Sequence, residues 1–137
     1  SIEKACVSLI LRDFSDEGIK KRVAYIEKLS GLVSESFGGR AHVEFKEQYR
    51  NMKSVMDKNP FVVEKLICAY KESGIVPEFV PIRGGTDGSR LTELGIPTPN
   101  IFTGGHNYHS RSEWASLSQM CLATDVLINL AVQVAQN

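Results

Sequence analysis

A chain of 137 residues with 16 Lys plus Arg against 16 Asp plus Glu, and 42% hydrophobic residues, has the make-up of a globular protein with no net charge. At this length a compact fold is expected to bury about two-thirds of the extended-chain surface, so stability alone requires no metal or disulfide, and a metal would serve chemistry. The interleaved charges offer no long-range attraction to phosphate backbones or anionic lipid, so nucleic acid and membrane surfaces are set aside as partners.

The longest uncharged stretch, residues 126–137, is too short to span a bilayer and carries Asn129, Gln133 and Gln136. No basic n-region followed by an apolar h-region opens the chain, and the expectation is a cytoplasmic protein. Cys6, Cys68 and Cys121 are odd in number, widely spaced and set in apolar runs. That pattern predicts buried free thiols rather than a disulfide frame.

Ala5, Val7, Leu9 and Leu11 alternate with Cys6, Ser8, Ile10 and Arg12, the period of a strand with one buried face and Arg12 at its far end. Ser15 predicts a helix cap with Asp16 and Glu17 in the first turn. Ile19, Val23, Ile26, Ser30, Val33 and Phe37 then share a face, and Gly38 and Gly39 stop the helix. Ala41, Val43 and Phe45 alternate with His42, Glu44 and Lys46 as a second strand, with His42 at the surface. Residues 1–51 thus read as a β-α-β unit.

The polar stretch 51–58 marks the boundary between two domains, 1–51 and 52–137. Asn59 as cap and Pro60 at the first helical position open a helix with Val63, Leu66, Ile67 and Tyr70 inward and Gly74 at its end. A short apolar strand, 79–82, leads into the glycine-rich RGGTDGS, 83–89, which opens a short helix closed by Gly95. A brief strand, 100–103, precedes the loop GGHNYHSRSEW, 104–114. Ser116 with Gln119 forms a capping box for a last helix carrying Leu117, Met120, Cys121, Thr124, Ile128 and Ala131. The alternation of helix and strand over 60–137 is that of a mostly parallel α/β sheet, whose ligands bind beyond the carboxyl ends of the strands.

Two loops therefore hold the chemistry. In the first, Gly84 and Gly85 allow close backbone approach, and the N–H groups of 86–89 at a helix start suit a carboxylate or phosphate. A plain turn capped by Thr86 or Asp87 explains the same residues equally well. In the second, His109 is a candidate zinc ligand, with His106, Asp87 and Glu113 the other donors nearby in sequence. Zinc needs three or four ligands, and a pair of histidines in a polar loop is more often exposed or hydrogen-bonded than metallated. No nucleophile arrangement built on Ser or Cys is present: Ser89 and Ser110 lack an elbow motif.

PIRGGTDGSRLTELGIPTPNIFTGGHNYHSRSEW, 81–114, closely resembles the C-terminal signature of the zinc aminotripeptidases (the peptidase T group). These belong to the dizinc metallopeptidases that also include aminoacylase and succinyl-diaminopimelate desuccinylase. LILRDF, 9–14, resembles the same family's lid strand. The resemblance implies an α/β fold, in which part of a zinc-peptidase catalytic domain, 52–137, is preceded by the β-α-β second half of an α+β lid, 1–51.

It further implies that His109 is the last zinc ligand and that Arg12 holds the substrate's terminal carboxylate. Gly85 and Thr86 would form the loop that receives the substrate, supported by Arg83 and Asp87; His106 matches no ligand position. The family's remaining ligands and its general-base Glu come from an N-terminal part with no counterpart here, since neither an H-x-D motif nor a Glu-Glu pair occurs. The expectation is a C-terminal third of a cytoplasmic tripeptidase with two zinc ions per site, beginning inside the lid at Ser1 without an initiator Met and ending at the natural C terminus. It would be inactive alone, with no catalytic residue in the chain, tripeptides as substrate and a homodimer formed through the lid. Two other readings stand beside it: a self-standing small-molecule-binding or regulatory module, and a same-family hydrolase of N-acyl amino acids.

Overall fold

The computed structural model describes residues 3–82 and 84–136, which fall into two compact units. One comprises Ser1–Asn51 with Pro81–Gly85, the other Met52–Val80 with Thr86–Asn137.

The first unit is organised by helix α1, Asp16–Phe37. Its start follows from side-chain chemistry: Ser15 is extended (φ −131°, ψ 144°), and its Oγ accepts the N–H of Gly18 at 3.0 Å, with Asp16 and Glu17 against the positive helix end. Gly38, at φ 72°, ends it by returning its N–H to the carbonyl of Ser34. Ile19, Val23, Ile26 and Ser30 are half-buried as their spacing predicts, but Val33 and Phe37 are exposed and no residue of α1 is buried.

The second unit contains α2 (Lys53–Met56), α3 (Pro60–Glu72), α4 (Asp87–Glu93), a two-residue antiparallel ribbon of β1 (Gly105–His106) and β2 (Trp114–Ala115), and α5 (Leu117–Ala135). Pro60 opens α3 as predicted. Asn59 stands at the cap position, although its side-chain amide donates back to the carbonyl of Val55 instead of capping α3. The core is the seam between α3 and α5, where Leu66, Ala69 and Val126 are buried and Tyr70, Ile75, Ile101, Phe102 and Leu130 close around them. Asn129 of α5 donates to Ser73 Oγ at the end of this seam.

Four expectations are corrected. The strands foreseen at 5–12, 41–47, 79–82 and 100–103 form no ladder among the described residues. Alternation records which side chains want burial, whereas a strand exists only when a neighbouring backbone takes its N–H and C=O groups, and the seen sheet is the ribbon alone. Accordingly Val7, Ile10 and Phe79 are exposed.

The cysteines are free but exposed, not buried, and none of them is among the residues that make up the α3–α5 core. On α5 the face turned to α3 is Ala123, Val126 and Leu130, while Leu117, Met120 and Ile128 of the predicted face are exposed. That helix is apolar on both sides, with Asp125 its only charged side chain, so periodicity alone assigns no inward face. By length and composition α5 would also reach across a bilayer. Val126 is fully buried against α3, but only 11% of this stretch is buried, so most of its apolar surface is exposed.

The chain exposes 11386 Å², against roughly 7,000 Å² for a folded monomer of this mass. It buries about half of the extended-chain surface rather than the two-thirds expected from length.

Candidate functional site

The second glycine-rich loop is the better-defined place. β1 and β2 pair antiparallel, with Gly105 opposite Ala115 and His106 opposite Trp114, and the N–H of Ser116 donates to Gly104 O at 2.8 Å to extend the ladder. Gly104 is buried at φ 80°, and a Cβ there would meet Ser116 O, Gln119 Cβ and Met120 N at about 3 Å. Glycine is demanded by conformation and contact together, which seats the ribbon against the first turn of α5.

Between the two strands, loop 107–113 is closed by its own hydrogen bonds. Ser110 N and Oγ both donate to Asn107 O, Asn107 Nδ2 donates to Ser112 O, and Glu113 N donates to Ser110 O. Asn107 (φ 54°) and His109 (φ 64°) are left-handed. Asn and His are among the non-glycine residues that enter that region most readily, and for His it still costs about 1 kcal/mol. The His109 N–H is held at 2.8 Å by Glu113 Oε2, and the residue is exposed. Strain of this kind, held in place by its surroundings, is characteristic of functional residues.

His106 lies at the base of the same loop. Its ring stacks on Trp114 with centroids 4.1 Å apart and planes 13° off parallel, and its Nε2–H donates to Gln119 Oε1 at 2.8 Å. Only half of the expected capping box therefore forms: Ser116 Oγ accepts Gln119 N at 3.4 Å, while the Gln119 side chain turns to His106.

The first glycine-rich loop is mostly a helix start. Thr86 (φ −128°, ψ 162°) caps the seven-residue α4, accepting Ser89 N on Oγ1 at 3.2 Å, and Asp87 lies exposed in the first turn. Gly88 is buried where a Cβ would press on Thr98 O and Asn100 Oδ1 at 2.7 and 2.8 Å. A Cβ on Gly85 would collide with the ring of Tyr49, within the first unit. Both glycines thus have packing reasons, while nothing lies near Gly84. Arg83 lies outside the described residues.

Arg12 is exposed beside an open groove of about 390 Å³ lined by Leu11, Asp13, Tyr25 and Ile26 among others. The groove's charges are already partnered: Arg22 Nε meets Asp13 Oδ2 at 2.9 Å, and Lys21 meets Glu17 at 2.8 Å. Arg12 and Gly85 belong to the first unit, Thr86, Asp87 and His109 to the second. Among the described residues no three His, Cys, Asp or Glu side chains are grouped to hold a metal, so these residues do not by themselves supply the three or four ligands a zinc ion takes. Sequence reasoning passed over Trp114 and took Gln119 only as half of a capping box, and Glu113 enters as a backbone anchor; the H-x₇-W spacing across a glycine-led ribbon was the one signal for Trp114.

A profile of peptidase family M20/M25/M40 matches residues 4–133. The chain belongs to that family. It is 43% identical over 130 residues to a peptidase T of Clostridium perfringens (strain SM101 / Type A), 38% over 131 to that of Caldanaerobacter subterraneus subsp. tengcongensis, and 41% over 131 to that of Streptococcus thermophilus (strain CNRZ 1066). These alignments take in 94–95% of this chain but 32% of each relative. This M20 chain therefore spans about a third of the length of the curated relatives it matches, and the resemblance carried by residues 81–114 is to the same peptidase T group.

Proposed function

We propose that the chain is the part of a cytoplasmic metallo-aminopeptidase that contributes one zinc ligand, His109, and a clamp for the carboxylate of a tripeptide. The observation that carries this is His109 itself: a strained left-handed histidine, exposed, with its amide anchored by Glu113, inside a family of peptidases. The large exposed surface and the unpaired apolar segments 5–12 and 79–82 support a longer polypeptide whose other two-thirds complete the sheets and the ligand set.

In this reading residues 1–51 are the second half of a lid, suited to pairing with a second copy, and 52–137 belong to the catalytic domain. A pair of zinc ions, one of them taking His109 as a ligand, would supply water activation and polarisation of the scissile carbonyl when bound. This chain's own residues do the positioning. Arg12 presents a planar guanidinium that matches a carboxylate, and the backbone at Gly85 and Thr86, with Arg83 and Asp87 beside it, borders the bound peptide. The general base is a Glu outside the chain.

The test uses the natural gene product at full length. It is expected to contain zinc and to release the first residue of tripeptides faster than it deacylates N-acetyl amino acids. His109→Ala is expected to lower zinc content and turnover together. Residues 1–137 alone, given zinc, are expected to hydrolyse no tripeptide. Preference for the acetylated substrates would move the reaction to amide hydrolysis, and undiminished zinc and turnover in His109→Ala would remove His109 from the centre.

A further inference from the structure

We propose that His106, Trp114 and Gln119 form a clamp that positions the His109 loop, with His106 a positioning residue rather than a ligand. The inference builds on the reading of His109 as a metal ligand.

Two contacts converge on the His106 ring. It is cross-strand partner to Trp114, so the ribbon's register brings the two side chains together, and the ring planes stack at 4.1 Å. Aromatic cross-strand pairs of this kind stabilise a ribbon. Nε2–H reaches Gln119, in the first turn of α5, at 2.8 Å, tying the loop's base to a helix that is itself fixed on α3. Beneath them Gly104 lets the ribbon touch the backbone of Met120 and Ser116.

A ribbon of two residue pairs is marginal by itself. The seven-residue loop it closes holds two left-handed residues, and a loop that carries strain must be closed firmly to keep it. The stack and the Nε2 bond are the side-chain contacts that span strand to strand and ribbon to helix. They act through the backbone of loop 107–113 on the place from which the His109 imidazole projects. A ligand fixed in advance binds metal without losing freedom on binding, which is why groups that orient ligands affect metal affinity by about tenfold or more.

Trp114 is the chain's single tryptophan, so its fluorescence reports the clamp directly. In the metal-free chain, His106→Ala is expected to change Trp114 emission and to speed backbone amide exchange at His109 and Glu113 by about tenfold, while amides at Leu66 and Val126 keep their rates. His106→Phe, which retains the stack, is expected to restore most of the protection, and Gln119→Leu to lose part of it. In the full-length protein His106→Ala is expected to weaken zinc binding about tenfold, with recovery in His106→Phe. Unchanged exchange at His109 in His106→Ala overturns the clamp, as does equal loosening in the Ala and Phe variants with the core intact. Should His106→Ala fail to fold, unchanged His109 exchange in Gln119→Leu overturns it. The ligand reading fails separately, if His109→Ala leaves zinc affinity as it was, and the clamp is then decided by exchange and fluorescence alone.

Discussion

Glu113 Oε2 accepts the backbone N–H of His109 at 2.8 Å, binding the two ends of a five-residue turn to each other through a charge. Because the bond goes to the main chain, it fixes where the imidazole starts rather than what the imidazole touches. Glu113→Ala is expected to cost about 1 kcal/mol, as an exposed hydrogen bond to a carboxylate does, read from urea unfolding of the chain. Metal affinity of the full-length protein should fall about tenfold in the same variant. An unaltered affinity would show that the anchor serves only the turn.

His109 offers a sharper comparison, because glycine and alanine both delete the imidazole but only glycine is at ease at φ 64°. His109→Gly is expected to be more stable than His109→Ala by about 1 kcal/mol, and no less stable than the parent chain. Both variants should lose metal equally. If glycine shows no advantage in thermal or urea unfolding, the left-handed backbone is not a source of strain.

Arg12→Ala in the full-length protein should raise KM for tripeptides with a free carboxylate and leave kcat nearly unchanged, since a clamp on an unreacting group binds substrate and transition state alike. A C-terminally amidated tripeptide should show little difference between the two proteins. Equal effects on the amidated peptide would take the carboxylate away from Arg12.

Asp13 predicts an acid dependence. Arg22 foremost, then the N–H and hydroxyl of Ser15, hold its carboxyl below the usual carboxylate range. A depressed folded-state pKa means that the stabilisation is complete above the unfolded value of about 3.9 and is lost as pH falls through the folded one. Helicity of α1 should therefore decline on acidification below about pH 4, and less steeply in Asp13→Asn. Arg22→Met should raise the Asp13 midpoint seen by carboxyl NMR; an unmoved midpoint would remove the ion pair as its main cause.

Helix ends were legible in the sequence wherever a local chemical rule decides them: Ser15, Pro60, Thr86, Ser116 and the glycines at 38, 74 and 95 all stand at the predicted termini. Strands were not, because a period of two reports an appetite for burial while the partner backbone lies elsewhere in the sequence. The loop histidines were visible, but not the difference between them. Only the family resemblance separated them: His109 is set apart in the structure by a backbone angle that leaves no trace in residue order, and His106 by a ring stack whose one trace is the H-x₇-W spacing.

The inward face of α5 was illegible for a further reason, its apolar residues running all the way round. Substitutions separate the faces. Val126→Ala, at a fully buried position, should cost about 2 kcal/mol, and Ile128→Ala, 55% exposed, less than about 0.5 kcal/mol, in urea unfolding. Similar costs at both sites would mean that both faces are packed.

Helix α1 spans 22 residues, is capped at both ends, and buries none of them. Its order in the isolated chain therefore belongs to the physics of peptides in water more than to that of a domain. Such a helix frays from its ends and melts over tens of degrees instead of at a midpoint. Amide protons near Tyr25 should exchange orders of magnitude sooner than those around Val126. Two clocks would then run in one polypeptide, and whatever comes to lie against the Ile19, Val23 and Ile26 stripe would bring them into step.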